Sequence, residues 1–220
     1  MLYVIMCGGT YFGFDKPRQL LEIHGEPLIV RTIRLLEENG INKDDIVITA
    51  NDERFKDFGV EVYINEDNYW NVYKKEDGSI ADEGYWLNAF VPFARSPVCY
   101  LFGDVYYTKE GMERIIHHQT SINTLYGTID TRLKPWEEPL AYKVYNPTEF
   151  FEGIKKAKEM YDKGLVNRNP IVWELYRVLN GININKHILK AETYIHVIGG
   201  GMDIDSPNFV KVIEEYYDPD

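Results

Sequence analysis

Three short stretches of this chain carry residue types and spacings that could do chemistry. The first is Gly8-Gly9, followed within one loop by Lys16 and Arg18. Glycines leave backbone N–H groups unshielded and allow a sharp turn. N–H groups and two cations in one loop suit a polyphosphate. The second is Asp104, which follows the apolar run PVCYLF and a glycine. A carboxylate there would reach over the end of a strand, although Gly-Asp is also an ordinary turn pair. The third is Asp203-Ile204-Asp205. Residues two apart on an extended segment face the same side, so both carboxylates could meet one cation. Alternatively, Asp205 or Ser206 only caps the helix that follows. Cys7 and Cys99 end or lie in apolar runs and read as buried reduced thiols. The five histidines show no zinc spacing.

The elements that must position these groups alternate. Leu2 to Met6 is an uncharged apolar run of buried-strand length. Pro27 to Asn39 has apolar residues at helical spacing, with Pro27 in the first turn and Gly40 past the end. Ile46 to Ala50 and Val60 to Ile64 read as the next strands. Strand, helix, strand at this spacing predicts an α/β fold, with a mostly parallel sheet between helices. Ligands of such sheets sit beyond the carboxyl ends of the strands, where the loop after Met6 lies.

Residues 65–82 are polar and read as irregular, and Gly84 to Ala94 reads as a helix. Pro97 to Phe102 predicts a strand and Thr108 to His118 a helix capped by Thr108. Ile122 to Ile129 and Leu140 to Tyr145 read as strands, and Pro147 to Lys163 and Pro170 to Asn180 as helices. Glu192 to Ile198 predicts a late strand, and Ser206-Pro207 opens a final helix that ends near Tyr217.

Composition sets bounds. The chain has 220 residues, 45% hydrophobic and 27% charged, which fits one globular domain, with residues 131–190 as a lid-like subregion. A net charge of −11 argues against a broad nucleic-acid surface but leaves room for a local basic pocket. No basic leader or long apolar segment opens the sequence, so we expect a cytoplasmic protein with no membrane partner.

The chain resembles the nucleotidyltransferases that couple a nucleoside triphosphate to a sugar phosphate or phospho-alcohol, with their Rossmann-like three-layer α/β/α fold. IMCGGTYFGFDKPRQLLEIHGEPLI is similar to the family's glycine loop, proline-basic pair and Gly-x-Pro-Leu segment. EGYWLNAF is similar to the family's glycine-led helix start near the nucleotide base. YLFGDVYY is similar to the strand that ends in the metal-binding aspartate, and GGGMDIDSPNFVKVIE to the late Asp-x-Asp-Ser-Pro segment. The four occur in the family's order and span almost the whole chain. Two departures stand out: Tyr11 and Phe12 occupy the region where the family carries a loop arginine, and the loop is shorter.

The resemblance implies that Cys7, Gly8, Gly9, Thr10 and Gly84 bind nucleotide. Lys16 and Arg18 would be the catalytic cations, with the family's lysine falling on either. Asp104, Asp203 and Asp205 would hold Mg²⁺. Small members of this kind use CTP with phosphocholine or a sugar phosphate, for surface polysaccharide or lipid precursors. The partners implied are therefore small molecules, with a homodimer as one open assembly.

Tyr69, Trp70, Tyr85, Trp86, Trp136 and Trp173 could line an aromatic cage for a quaternary ammonium group, or simply pack. Lys134 and Lys143 could grip an acceptor phosphate, or be solvated. Two other readings share the architecture. A metal-dependent glycosyltransferase would use Asp203-Ile204-Asp205 as its metal motif, and a nucleotide-binding module would catalyse nothing.

Overall fold

The computed structural model of the chain describes residues 1–11, 13–64, 70–130 and 134–217. Its strands, in chain order, are β1 (Leu2–Cys7), β2 (Thr10–Tyr11), β3 (Glu22–Ile23), β4 (Glu26–Pro27), β5 (Ile46–Ala50), β6 (Glu61–Ile64), β7 (Trp70–Lys74), β8 (Ile80–Gly84), β9 (Val98–Phe102), β10 (Val105–Tyr107), β11 (Thr124–Thr128), β12 (Glu138–Val144), β13 (Tyr194–His196) and β14 (Gly201–Asp203). The helices are α1 (Leu28–Glu38), α2 (Lys109–His117), α3 (Pro147–Asp162), α4 (Val172–Leu179) and α5 (Asn208–Tyr216).

An uncharged run such as β1 is stable only where both faces are covered, and every residue of β1 is buried. It lies inside a seven-stranded sheet of order β13-β11-β12-β9-β1-β5-β6. β5 and β9 run parallel to β1, and β12 runs antiparallel to β9 and β11. The carboxyl ends of β1, β5, β9 and β11 therefore share one rim with the amino end of β12. Glu138 stands at that rim, and Lys143 stands near the opposite one.

Alternation divides the sheet's two faces among the helices. Tyr100 on β9 pairs across the ladder with Tyr142 on β12. Both rings meet Phe150 of α3, with centroids 6.0 and 5.0 Å away. The next pair, Cys99 and Lys143, points the other way, and Lys143 Nζ donates to the carbonyls of Ile116 and His118 at the end of α2. The fold is a mostly parallel, mixed α/β sheet covered by helices on both sides.

Two expected elements differ. Residues 65–69 lie outside the described residues, but 70–84 is a hairpin of β7 and β8 rather than irregular chain. Its turn has a visible cause: Asp77 accepts from Ser79 N and Oγ, and Gly78 takes φ +85. β7 also pairs with β2, fastening the hairpin to the chain just past the glycine loop. The helix expected over 84–94 is a single short 3₁₀ turn, Trp86–Ala89. Pro92 is the physical reason, because the residue before a proline is driven out of the helical region.

Candidate active site

Arg18 is the hub of the site. It starts a short 3₁₀ turn, Arg18–Leu20, behind Pro17. Its Nη2 pairs with Asp104 Oδ2 at 2.6 Å, and its Nη1 donates to Ile204 O at 3.1 Å. The amino-terminal loop, the end of β9 and the late acidic segment thus meet on one guanidinium.

Local backbone geometry explains why Asp104 is within reach. Gly103 N donates to Met6 O at 3.1 Å, and a Cβ at position 103 would lie 2.4 Å from that oxygen. Only glycine lets the end of β9 press this closely against β1. β10 then leads away and pairs antiparallel with β14, matching Val105 with Asp203. The ladder continues as Ile204 N donates to Asp104 O at 3.0 Å. A two-strand ribbon therefore joins residues a hundred positions apart.

A fourth carboxylate belongs here. Glu138, at the amino end of β12, offers an oxygen that lies within 4.8 Å of oxygens from Asp203 and Asp205. Lys134 sits among the three. Its ammonium is paired with Asp205, lies 2.8 Å from Glu138 Oε1 and donates to Asp203 O at 3.3 Å. Its side chain is 1% exposed. Burial, together with the charges of Asp104 and Asp205, pushes the Asp203 carboxyl well above the usual carboxylate range. For Asp205 burial works the same way, but the hydrogen bond from Asp203 and the Lys134 ammonium outweigh it and hold the group low. The two neighbours are thus driven in opposite directions, Asp203 toward its protonated form and Asp205 toward its carboxylate. Burial also raises Glu138, against the pull of Lys134.

The cluster fits a hard divalent cation. All its ligands would be carboxylate oxygens, and their spacing suits a single ion. Asp203 Oδ1 is moreover buried with no hydrogen-bond partner among the described residues. A buried oxygen without a donor is costly, and a cation would satisfy it.

Beside the cluster runs a cleft of about 310 Å³. All four tryptophans of the chain, Trp70, Trp86, Trp136 and Trp173, line it. Gly8 and Gly9 border a narrow extension of it beside Trp70 and Asp104. Gly9 takes φ +84, and a Cβ there would come within 3.0 Å of Trp70. Beyond Arg18 lies a basic recess of about 160 Å³ walled by Lys16, Arg18 and Arg54.

The structure thus brings Gly8, Gly9, Lys16, Arg18, Asp104, Asp203, Asp205 and Lys134 to one rim. Cys7 ends β1 at the same rim, but its thiol is buried, and burial raises its pKa well above the ordinary range. Thr10 lies in β2, paired with Asn71. Gly84 pairs with Trp70 across the hairpin, and its carbonyl accepts from Asn169 at 2.8 Å.

Lys143 does not join the site. It sits at the other end of β12, where its ammonium caps the last carbonyls of α2. Lys134 is present, yet its three N–H groups already face Asp205, Glu138 and Asp203 O, leaving none for an acceptor phosphate in this arrangement. Tyr69 lies outside the described residues. Tyr85 turns away from the cleft and donates to Asp162 at 2.6 Å. Sequence reasoning missed Glu138 and Arg54. Glu138 is one of two glutamates before a proline, and nothing local marks it.

No family model matches the chain. Over 68 residues it is 31% identical to a probable molybdenum cofactor guanylyltransferase of Pyrococcus horikoshii, a match covering 30% of this chain and 35% of that protein. The chain therefore spans about a third of the length of that relative. Among solved structures, it superposes on the CTP:phosphocholine cytidylyltransferase of Streptococcus pneumoniae with a TM-score of 0.53 at 15% identity, covering 99% of both chains. It also superposes on the inositol-1-phosphate CTP transferase of T. maritima with a TM-score of 0.53 at 13% identity, covering 100% of this chain and 98% of that one. The likeness is one of fold: the chain has the α/β architecture of these nucleotidyltransferases.

Proposed function

We propose that this chain is a nucleotidyltransferase that moves a nucleoside monophosphate from a nucleoside triphosphate, CTP by preference, onto a phosphorylated sugar or phospho-alcohol. The observation that carries this reading is the β10–β14 pairing, which sets Asp104 beside Asp203 and Asp205 with Arg18 bridging both segments, next to the glycine loop. The fold shared with cytidylyltransferases adds to it.

In the reaction an oxygen of the acceptor phosphate bonds to the α-phosphorus, the bond from that phosphorus to the bridging oxygen breaks, and its electron pair leaves on pyrophosphate. Such a transfer asks the protein for positioning and charge neutralisation more than for covalent chemistry. The Gly8 and Gly9 backbone cradles the triphosphate. Lys16, Arg18 and Arg54 neutralise the departing pyrophosphate in the basic recess. Arg18 also restrains Asp104 through a charge-assisted bond. Asp203 and Asp205, with Glu138 or Asp104, would hold Mg²⁺, whose charge would supply neutralisation of phosphate oxygens. Trp70 and Trp86, near the glycine loop, serve the nucleotide. Trp136 and Trp173, from the 131–190 subregion, serve the acceptor. The product is an activated precursor for surface polysaccharide or lipid assembly, made in the cytoplasm.

The test is pyrophosphate release with Mg²⁺ from each of CTP, UTP, GTP and dTTP, against a panel of phosphocholine, related phospho-alcohols and sugar 1-phosphates. We expect release that depends on one acceptor and is fastest with CTP. Consumption of a nucleotide sugar without pyrophosphate would identify a glycosyltransferase instead. Nucleotide binding with no turnover on any acceptor would identify a binding module.

A further inference from the structure

A lysine at the heart of an acidic cluster needs its own explanation. Lys134 is a cation with no access to solvent. Its ammonium pairs with the carboxylates of Glu138 and Asp205 and donates to the backbone carbonyl of Asp203, whose carboxyl completes the cluster of oxygens within 4.8 Å. It also sits 4.6 Å from the centroid of the Phe209 ring, which closes its remaining side. Two parts of the chain far apart in sequence meet here: Lys134 with Glu138 at the start of β12, and Asp203 of β14 with Asp205 and with Phe209 of α5.

We infer that Lys134 is the resident counter-ion of the metal cluster: it holds the carboxylates together before any metal arrives and competes with a divalent cation for them. Electrostatics drives this role, which rests on the cluster being a metal site. Like charges crowded into a small volume repel, and a buried pair stripped of its counter-charge is costly. One ammonium keeps the acids folded inward without a metal. That same ammonium repels a second cation brought to the same oxygens. A free ion should therefore bind the nucleotide-free protein weakly. An ion that arrives on a triphosphate brings negative charge of its own, which offsets the lysine. Lys134 is in this view a positioning residue that couples metal loading to nucleotide binding.

The inference is tested by binding of Mn²⁺ alone to nucleotide-free protein, read by electron paramagnetic resonance of the free ion, for wild type, Lys134→Gln and Lys134→Met. Gln keeps hydrogen bonds to the carboxylates without the charge. We expect both variants to bind Mn²⁺ at least about tenfold tighter than wild type, and to recover more of their thermal stability when Mn²⁺ is added. Equal or weaker binding by the variants would overturn the counter-ion role while leaving the metal site standing. No binding by any of the three proteins would overturn the metal reading and this inference together. A second measurement uses wild type alone: acylation of Lys134, followed by mass spectrometry, should be blocked without metal and should rise at saturating Mn²⁺. An unchanged rate would contradict competition.

Discussion

Arg18 holds two distant segments with one side chain, through Asp104 at 2.6 Å and Ile204 O at 3.1 Å. A planar guanidinium can make both bonds, whereas an ammonium is a point charge. Arg18→Gln should therefore lower the rate of pyrophosphate release by about 10²-fold or more, in line with the loss of one preorganised charge donor. Arg18→Lys should recover part of that loss. A Gln variant with wild-type turnover would remove Arg18 from the chemistry.

Asp203 gives a prediction with a pH sign. Its folded pKa stands above the ordinary value of 3.8 because of burial, so the metal-free fold binds this proton more tightly than the unfolded chain does. Stability from this residue is then fully present below pH 3.8 and is lost as pH rises through the folded pKa. In chelator at pH 8, Asp203→Asn should be more stable than wild type by about 1 kcal/mol in urea unfolding, while turnover is abolished. A variant less stable than wild type would show that the carboxylate is already well compensated in the empty cluster.

At this scale the sequence was readable where a residue had a local signature. Asp203 and Asp205 share one side of an extended segment, and Asp104 follows a strand. Glu138 has no such mark. Lys134 looked like an acceptor ligand because its burial among acids depends on chain far from it.

The element that makes the site is the β10–β14 ribbon. Gly201 allows it, because a Cβ at that position would lie 2.5 Å from Tyr106 O on the facing strand. Gly201→Ala should push the two strands apart and separate Asp104 from Asp203. We expect turnover to fall more than tenfold while far-ultraviolet circular dichroism keeps the native shape, since the main sheet does not pass through Gly201. Turnover close to wild type would show that the ribbon does not set the spacing.

Strands and helices with strong apolar patterns were legible, among them β1, β5, β9, α1 and α3. The β7–β8 hairpin was not, because its two short strands are mostly half-buried or exposed and lie among polar residues, so no apolar run marks them. The 84–94 segment has helical spacing, but the proline at 92 prevails over that pattern.

Across the whole molecule, strand order decides which loops become neighbours. β1 lies between β5 and β9, so the glycine loop and Asp104 emerge side by side. β12 runs backwards, so its first residue, Glu138, meets the same rim. Composition and periodicity announced an α/β sheet, but not that reversal, and hence not Glu138. The placement of all four tryptophans along one cleft is likewise a property of the assembled chain.

In the proposed function the glycine loop and the acidic segments grip one nucleotide and one divalent ion. Crystals grown with CTP and Mn²⁺, with diffraction collected at the manganese edge, would test it most directly. The predicted result is an anomalous peak in contact with Asp203 and Asp205, and a triphosphate running over Gly8 and Gly9 toward Arg18. A nucleotide seated elsewhere, or a peak remote from those two carboxylates, would contradict it.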